Sequence, residues 1–350
     1  MYMMTKKKRL LFILKKRSSY GVSYGLANSC KFLCNVLEHF NVECKVVEVI
    51  DNNGIDREVH NFKPTHVSID ALWVVPEKFH VLLPKYPNVN WNVRIHSKTP
   101  FIANEGIAMD WMYGYKKIIE QYDNFIFSSN AYITTNELNN IGIETIYLPN
   151  VYDPHPHIEL DDVGTTVVEN KSHIDIGCFG SVRPLKNHLQ QATAAIVFAN
   201  SINKKMKFHI NSDRIEQKGD PILKNLEKLF ENNPKHELVK HRWMNHQEFL
   251  MLVSKMELGL QVSFSESFNI VAADFVYKNV PIIGSSDIEW LSQYYKANPN
   301  DYQDIVNKLK NAYNYKHLGL HWLNKYKLWK HNKEGTERWM DYLLGKEFVK

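Results

Sequence analysis

The sequence predicts an α/β protein with two doubly wound domains, each built on a parallel sheet. Short apolar runs alternate with helical patterns along most of the chain. Strands separated by helices form parallel sheets through right-handed crossovers. The alternation stops near a proline-containing segment after residue 150 and then begins again. A length of 350 residues also suits two domains of ordinary size.

The first half of the chain contains six predicted strands. Residues 10–14 form a continuous apolar run, which is typical of a strand buried on both faces of a sheet. A loop containing Gly21 and Gly25 follows this run. We assign residues 1–150 to an N-terminal Rossmann-like domain. Its other predicted strands are 44–50, 66–73, 89–96, 124–128 and 144–148, and its predicted helices include 26–40 and 104–121.

The second half repeats the pattern after a polar segment with Pro154 and Pro156. We interpret residues 151–172 as a linker, because prolines and polar residues are typical of interdomain connections. Residues 173–320 are predicted to form a second Rossmann-like domain. Residues 321–350 are predicted to be a helical segment that packs back toward the N-terminal domain. The predicted strands are 174–179, 207–211, 237–243, 258–264 and 280–284, and the predicted helices are 186–201, 246–256 and 267–277.

No apolar run approaches the roughly 20 residues that cross a bilayer. The early apolar run is also shorter than the core of a signal peptide. We therefore expect a cytoplasmic protein without membrane insertion. The cysteines lack the spacing of a zinc site, so we expect no bound metal and four reduced, buried thiols. They are Cys30, Cys34, Cys44 and Cys178.

The loop after the fourth predicted strand of the second domain carries two candidate carboxylates. Asp274 lies eight residues after Glu266, just over two turns of a helix with about 3.6 residues per turn. Both could then face the same side and accept hydrogen bonds from vicinal hydroxyls of a sugar and a ribose. Free N–H groups at the predicted helix start would suit a diphosphate. A helix-capping Glu266 and a surface Asp274 are an equally open interpretation.

The loop after the first predicted strand of this domain carries Gly180, Arg183 and Lys186. A helix is predicted to begin near Pro184. The helix dipole disfavours cations at this end unless an anion is nearby. We therefore hypothesise that Arg183 and Lys186 neutralise a departing nucleoside diphosphate without a metal. Two solvated basic residues are the alternative.

Residues 266–285 resemble the signature of retaining GT-B glycosyltransferases, a family that includes sucrose synthase and many glycan synthases. That signature has two glutamates separated by seven residues, a helix of small residues and Pro-Val-Ile. This chain has Glu266, seven residues, Asp274 and then Val280-Pro281-Ile282-Ile283-Gly284-Ser285. Residues 180–186 resemble the family's Gly-Arg…Lys loop, and residues 148–153 its Pro-Asn-Gly-Val-Asp link. The first half matches mainly in pattern and in its glycine-containing first loop.

The resemblance implies a GT-B fold, with two Rossmann-like domains that face each other across a cleft. Residues 1–150 would then bind the acceptor, and residues 173–320 the nucleotide-sugar. It also implies metal-independent, retaining transfer from a nucleotide-diphosphate sugar, with no cofactor. Glu266 would hold the sugar hydroxyls, Asp274 the ribose, and Arg183 and Lys186 the diphosphate. His96, after the fourth predicted strand, would lie near the sugar, although a structural role is the alternative. The other implied donor-binding residues are Gly180, Ser267, Phe268 and Asn269.

Three positions depart from the family pattern. Asp274 replaces the second glutamate, which shortens its reach by one methylene. Asn269 replaces the usual glycine, which would narrow the turn. The link also lacks its glycine. None of these departures removes a charge, so we expect activity.

The acceptor is least defined by the sequence. The net charge is a modest +5, but residues 6–9 and the run Lys15, Lys16 and Arg17 are basic at the two ends of the first strand. Together with Gly21, the second run is predicted to form an acceptor or phosphate loop. In its compact GT-B pattern and its richness in Lys, Asn, Ile and Tyr, the chain is similar to phage enzymes that glycosylate hydroxymethylated DNA bases. Such enzymes act on a base drawn out of the stack. A phage-encoded protein of this kind would be located in the host cytoplasm. Duplex DNA is the leading expectation; a small glycan or a protein is the alternative.

The sequence argues against some other classes of enzyme and leaves two classes of protein as alternatives. The chain has no Asp-x-Asp motif, the metal motif of the other major glycosyltransferase fold. It also has no Walker loop and no Gly-x-Gly-x-x-Gly, which argues against kinases, P-loop ATPases and typical NAD enzymes. A sugar phosphorylase would need a pyridoxal-phosphate lysine in a longer chain. A nucleotide-sugar epimerase and a non-catalytic nucleotide-sugar-binding protein remain alternatives, and product formation on an added acceptor would exclude both.

Overall fold

The computed structural model describes residues 7–16, 24–154 and 172–346. Arg17, Gly21 and most of the predicted linker lie outside the described residues. The chain divides into two compact units. Unit 1 comprises Met1–Ile158 together with His331–Lys350, and unit 2 comprises Glu159–Lys330.

Unit 1 is built on a parallel sheet. Its described strands are β1 (Arg9–Lys15), β2 (Glu43–Val49), β3 (His66–Asp70), β4 (Asn90–Ile95), β5 (Phe125–Ser129) and β6 (Ile146–Tyr147). Its described helices are α1 (Tyr24–Glu38), α2 (Gly54–Phe62), α3 (Phe79–Lys85), α4 (Thr99–Ile102), α5 (Ala108–Ile119) and α6 (Tyr132–Asn140). The strand order is β2-β1-β3-β4-β5-β6, with every neighbouring pair parallel.

Unit 2 is built on a second parallel sheet. Its described strands are β7 (His173–Gly177), β8 (Lys205–Asn211), β9 (His236–His241), β10 (Leu258–Gln261), β11 (Ile282–Ser285) and β12 (Lys296–Ala297). Its described helices are α7 (His188–Ser201), α8 (Asp220–Glu231), α9 (His246–Val253), α10 (Ile270–Tyr277) and α11 (Tyr302–Asn314), followed by α12 (Trp322–Leu344), which continues into unit 1. The strand order is β12-β11-β10-β7-β8-β9, again all parallel. The two six-stranded parallel sheets confirm the predicted fold class.

The first strand is buried on both faces, as its apolar run predicts. Leu11 and Ile13 belong to one hydrophobic cluster, whereas Leu10, Phe12 and Leu14 belong to another. This division follows from the strand geometry, because alternate side chains point to opposite faces of a sheet. A strand covered on both sides must be apolar at every position, which is why β1 lacks an alternating pattern.

The C-terminal part of α12 completes one of these cores. Trp339 is fully buried and meets the Phe12 ring edge-on, with 5.8 Å between the ring centroids. Its indole N–H donates to the Pro149 carbonyl at 2.8 Å. Gly335 lies so near this segment that an added Cβ would be 3.1 Å from Cγ of Pro149. The end of α12 therefore packs on unit 1 through contacts between residues far apart in sequence.

The structure corrects several local predictions. The helix predicted at 104–121 is present as α5 but is shorter at both ends, Ala108–Ile119, and the short helix α4 that precedes it was not predicted. The helix predicted from Ser267 begins at Ile270, because Asn269 has a left-handed backbone with φ of 61°. Cys44 is half-buried rather than buried, since β2 is an edge strand with a neighbour on only one side. All four cysteines are free thiols. Within the described ranges, no helix has both the length and the apolar character to span a membrane.

Candidate functional site

The order of the second sheet reverses between β7 and β10. From β7 the chain proceeds outward through β8 and β9, and from β10 it proceeds outward through β11 and β12 on the other side. Ligands of open α/β sheets bind at such a switch point, beyond the carboxyl ends of the strands. Gly180, Arg183 and Lys186 follow β7, and Glu266 follows β10. The strand order thus brings the two predicted loops of unit 2 together.

Lys186 and Glu266 form an ion pair between these loops. Nζ of Lys186 donates to Oε1 of Glu266 at 2.5 Å, with only 11% and 7% of the two side chains exposed. Burial alone would raise the pKa of Glu266, but Lys186 and then Arg183 outweigh it and lower this pKa. The Glu266 carboxylate is therefore ionised at neutral pH, in a place where water screens charge poorly.

Gly180 shapes the loop beneath Lys186. Its φ of 115° is a conformation that residues with a Cβ rarely adopt. Its N–H donates to Oδ1 of Asn211 at 3.0 Å, which ties the loop to the end of β8. A Cβ at this position would lie 3.7 Å from both Cε and Nζ of Lys186. The glycine therefore lets the chain turn directly beside the Lys186 ammonium.

Arg183 has a protein carboxylate as its partner. Its Nη1 lies 3.3 Å from Oε2 of Glu216, and Nε of Arg214 lies 2.7 Å from Oε1 of the same carboxylate. Ser181 also donates to Glu216, at 3.0 Å. Burial would raise the pKa of Glu216, but Arg214 and Arg183 outweigh it and lower this pKa. The sequence analysis did not find Glu216 or Arg214, because nothing local links them to Arg183.

Arg183 and Lys186 were predicted to lie at the start of a helix, where a nearby anion would explain two cations. The structure corrects the position of that helix. Pro184–Lys186 forms a 3₁₀ turn, and α7 begins only at His188. Glu216 and Glu266 are the anions that face Arg183 and Lys186 in this structure. An external diphosphate is therefore not required to explain two cations at this position. Diphosphate binding by these residues stays a prediction.

Asn269 caps α10 and joins it to β10. Its left-handed backbone is a conformation that Asn tolerates better than other residues with a Cβ. Its Oδ1 accepts from the N–H of Ala272 at 2.8 Å, as a helix N-cap does. Its Nδ2 donates to Oε1 of Gln261 at 2.9 Å. Asn is thus compatible with a turn in which the resembling family has glycine.

Ser267 and Phe268 precede α10 and are not part of it. Phe268 is buried and its carbonyl accepts from the indole N–H of Trp290 at 2.7 Å. Ser267 is half-buried. Glu266 also precedes the helix, and its N–H donates to Oδ2 of Asp287 at 3.1 Å. The prediction that Glu266 and Asp274 face the same side of one helix is therefore wrong. The donor-binding roles of Glu266, Ser267 and Phe268 stay predictions.

Asp274 lies within α10 and is almost fully buried. Its Oδ1 is 2.6 Å from Nε2 of His246, the first residue of α9. Asp274 is therefore not a surface residue. His246 is a contact that the sequence analysis missed, because 28 residues separate the two side chains.

His188 is a buried titratable group beside the site. Among the described residues, neither of its ring nitrogens has a hydrogen-bond partner. Burial, Lys186 and Arg183 lower the pKa of His188 from 6.5 to about 3. The ring is therefore neutral at physiological pH, which avoids a third positive charge next to the two cations.

This histidine should make the protein sensitive to acid. Between pH 6.5 and about 3 the unfolded chain binds a proton that folded His188 does not. The stability present above pH 6.5 should therefore fall by up to about 1.4 kcal/mol per pH unit as pH decreases through this window. We expect His188→Leu to flatten that slope in urea unfolding experiments, with His60→Leu, at an exposed position, as control. An unchanged slope in His188→Leu would show that His188 is not the group responsible.

In unit 1, His96 follows β4 and contacts a buried carboxylate. Its Nε2 lies 3.3 Å from Oδ2 of Asp70, and its Nδ1 lies 3.3 Å from Nδ2 of Asn130. Burial and the nearby Arg94 lower the pKa of His96, outweighing the opposite effect of Asp70. The lowered pKa keeps the ring neutral at physiological pH. Its Nε2 faces the Asp70 carboxylate and its Nδ1 faces the Asn130 side chain, so both ring nitrogens face side chains of unit 1.

Asp70 is the centre of this network. Its carboxylate lies 3.0 Å from Nη2 of Arg94, and both side chains are fully buried. Burial would raise the pKa of Asp70, but Arg94 and His96 outweigh it and lower this pKa. Ser68 and Cys30 donate to the two oxygens, each at 2.8 Å. The sequence analysis singled out only His96 from this network.

The predicted basic loop follows β1, which lies beside β3 at the switch point of the first sheet. Lys15 and Lys16 are exposed, and the N–H of Lys16 donates to the Val49 carbonyl at 2.7 Å. Arg17 and Gly21, the other members of this predicted loop, lie outside the described residues. The acceptor role of the loop stays a prediction.

Within residues 7–16, 24–154 and 172–346, no group of three or more His, Cys, Asp or Glu side chains could hold a metal ion.

The fold of these two units is that of the GT-B glycosyltransferases. Trehalose-6-phosphate synthase OtsA matches with a TM-score of 0.70 and 12% identity, over 95% of this chain and 98% of that chain. Sucrose-phosphate synthase from Thermosynechococcus elongatus matches at 0.67 and 11%, over 96% and 98%. Anabaena HepE in complex with UDP matches at 0.66 and 10%, over 96% and 99%. No family model matches this sequence. No curated protein matches it either. At these identities the likeness shows the fold alone.

Proposed function

We propose that this protein is a glycosyltransferase that moves a sugar from a nucleotide-diphosphate sugar to an acceptor hydroxyl. The observation that carries the proposal is the buried Lys186–Glu266 pair on the loops that follow β7 and β10. Two proteins of similar fold support the donor class, since one structure contains UDP and another contains UDP-2-fluoro glucose.

The roles follow from charge and position. Arg183 and Lys186 would face the diphosphate, and their positive charges would stabilise the negative charge that develops on the leaving group. The ionised Glu266 can only accept hydrogen bonds, which suits the hydroxyls of a sugar. The GT-B resemblance assigns the ribose to Asp274, which would then have to share its carboxylate with His246. His96 remains a proposed sugar contact, through the part of its ring that is exposed.

Retention of configuration and independence from metal belong to the same proposal. Retention rests on the resemblance of Glu266 and Asp274 to the paired acids of the retaining family. Without a metal, protein cations would have to supply the charge stabilisation of the leaving diphosphate, and Arg183 and Lys186 are the candidates on these loops.

The function can be tested by supplying donors and acceptors. A screen of nucleotide sugars should first reveal a donor that raises the melting temperature, because a ligand bound only by the folded state stabilises it. This donor is then incubated with candidate acceptors, with and without excess chelator. We expect a glycosylated product and free nucleoside diphosphate at a rate that chelator does not change. Conversion of the donor without acceptor would indicate an epimerase, and binding without any product would indicate a non-catalytic protein.

The two carboxylates should have separable effects. We expect Glu266→Gln to impair sugar transfer more than binding of the bare nucleotide, because Glu266 is proposed to contact the sugar. Asp274→Asn should weaken nucleotide binding itself. Calorimetry with the nucleoside diphosphate and turnover with the complete donor measure both effects, with the exposed Glu237→Gln as control. The reverse pattern would overturn the assignment of the two carboxylates.

Duplex DNA with hydroxymethylated bases is the proposed acceptor, on the strength of the basic loop after β1. Phosphate contacts make DNA binding steeply salt-dependent. In gel-shift titrations at two salt concentrations, Lys15→Glu combined with Lys16→Glu should reduce binding. Lys31→Glu with Lys117→Glu, at exposed positions of unit 1, controls for net charge. If neither plain nor hydroxymethylated duplex binds at low salt, DNA is excluded and a small glycan or a protein becomes the acceptor to test.

A further inference from the structure

The chain carries an unusually basic segment that the proposed function does not use. Lysine plus arginine and aspartate plus glutamate are nearly balanced in the whole protein, at 43 and 38. Residues 305–333, however, contain no Asp or Glu. The same segment contains seven lysines: Lys308, Lys310, Lys316, Lys325, Lys327, Lys330 and Lys333.

The first turns of α12 present aromatic side chains to solvent. Trp322, Tyr326 and Trp329 are 59%, 59% and 57% exposed. Their spacing of four and then three residues places them on one face of the helix. The rings of Tyr326 and Trp329 stack, with centroids 6.0 Å apart and planes at 27°.

The opposite side of these turns is anchored in unit 2. Leu328 is buried, and Oδ1 of the buried Asn324 accepts from the N–H of Ser292 at 3.0 Å. At about 100° per residue, Asn324 and Leu328 lie roughly opposite Trp322 and Tyr326. The exposed aromatics therefore form the outer face of a helix whose inner face is already packed.

Aliphatic and cationic side chains border these rings. Leu318 and Leu323 are exposed, as are Lys327 and Lys330. Nζ of Lys325 lies 4.2 Å from the centroid of a Trp322 ring. We use the term basic–aromatic face for the whole set: Leu318, Trp322, Leu323, Lys325, Tyr326, Lys327, Trp329 and Lys330.

We propose that the basic–aromatic face docks on the surface of an anionic lipid bilayer. Exposed apolar groups that lie together on a folded protein mark an interaction surface. Trp and Tyr favour the boundary between headgroups and acyl chains, and lysines reach outward to anionic headgroups. Nucleic acid would use the lysines and could stack on the rings, but Leu318 and Leu323 have no such role there. The bilayer is the occupant that uses all three kinds of side chain.

The absence of carboxylates from residues 305–333 strengthens this assignment. An acidic side chain among the lysines would be repelled by anionic headgroups and would offset their attraction. The proposed contact is peripheral and concerns only the outer face of the first turns of α12. It does not depend on the proposed sugar transfer.

Vesicle binding tests the proposal directly. Purified protein is sedimented with vesicles of phosphatidylcholine alone and with vesicles that also contain phosphatidylglycerol. We expect binding to the second kind only, and weaker binding as salt increases.

Lys327→Glu with Lys330→Glu should lower the partition coefficient by at least about 25-fold, since each lysine near an anionic surface contributes roughly fivefold. Lys224→Glu with Lys255→Glu, exposed on other elements of unit 2, has the same net charge and should retain binding.

The aromatic residues need their own variant. Trp322→Ala with Tyr326→Ala should weaken binding at high salt as well as low salt, because burial of apolar surface is not screened. Both positions are exposed, so a melting temperature near that of the wild type is expected and checks folding. Three results would overturn the proposal. They are absence of binding to anionic vesicles, equal binding to both vesicle types, and full binding by Lys327→Glu with Lys330→Glu. Binding of oligonucleotides but not vesicles, lost in the same lysine variant, would overturn it in favour of nucleic acid.

Discussion

Replacement of Lys186 by alanine is expected to lower kcat/KM for the proposed transfer by roughly 30- to 900-fold. This range corresponds to about 2–4 kcal/mol for one charge-assisted contact to a developing oxyanion. The measurement is steady-state turnover with the donor that the screen identifies. Lys224→Ala, which removes an exposed lysine of the same unit, should keep wild-type turnover.

The same variant should also lose stability, and this effect must be separated from the catalytic one. Lys186→Ala leaves Glu266 buried without its ion-pair partner, which typically costs about 3–5 kcal/mol. Lys186→Met combined with Glu266→Gln removes both charges and should regain much of that stability. Turnover of this double variant should stay low, because it lacks both the charge proposed to face the diphosphate and the carboxylate proposed to contact the sugar. Recovery of turnover together with stability would mean that Lys186 acts only through the fold.

Arg183 provides a second test of the same role. Arg183→Ala should lower turnover by a similar factor, yet cost less stability than Lys186→Ala. The reason is that Glu216 keeps its contact with Arg214, at 2.7 Å, when Arg183 is removed. Near-normal turnover in both alanine variants would exclude the proposed diphosphate contact.

Arg94→Leu should produce the largest loss of stability in unit 1. The replacement strands the fully buried Asp70 carboxylate, and breaking a buried pair in this way costs about 3–5 kcal/mol. It also removes the cation that lies 5.0 Å from the Trp339 ring. Urea unfolding at pH 7 measures the effect. Arg94→Leu with Asp70→Asn should recover part of the loss, because the stranded charge is then absent.

An exposed ion pair supplies the matched control. Lys85 and Asp56 are 2.7 Å apart, closer than Arg94 and Asp70, but both side chains are solvent-exposed. Because solvent screens exposed pairs, Lys85→Ala should cost less than about 1 kcal/mol. Equal losses from Lys85→Ala and Arg94→Leu would contradict the conclusion that burial sets the energy of the Asp70 network.

The fold class was predictable because its signal is local. The apolar run around Phe12 is typical of a strand covered on both faces, and the alternation of such runs with helices favours parallel pairing. Gly180 was identified as part of a loop after a strand, and its left-handed φ gives the physical reason for glycine. Arg183, Lys186 and Glu266 were also predicted to follow β7 and β10, and they do.

The partners of those residues were not predictable from the sequence. Glu266 was expected to align with Asp274 on one helix, but α10 begins at Ile270, after the left-handed Asn269. Because Asn269 is left-handed, Glu266 lies before the helix and not on it. Helical spacing therefore does not relate the positions of the two carboxylates. Local patterns do not specify where a helix begins to within a residue or two, because capping contacts with distant segments decide it.

The sequence by itself determined two α/β units, the loops that follow their strands, and which charged residues those loops carry. Only the tertiary structure decided which charges meet: Lys186 with Glu266, Arg183 with Glu216, Asp274 with His246 and Arg94 with Asp70. It also decided which face of α12 is buried and which presents Trp322 and Trp329 to solvent. The reason is that periodicity depends on neighbours along the chain. Ion pairing and burial depend instead on strand order, which brings together residues separated by 24 to 80 positions.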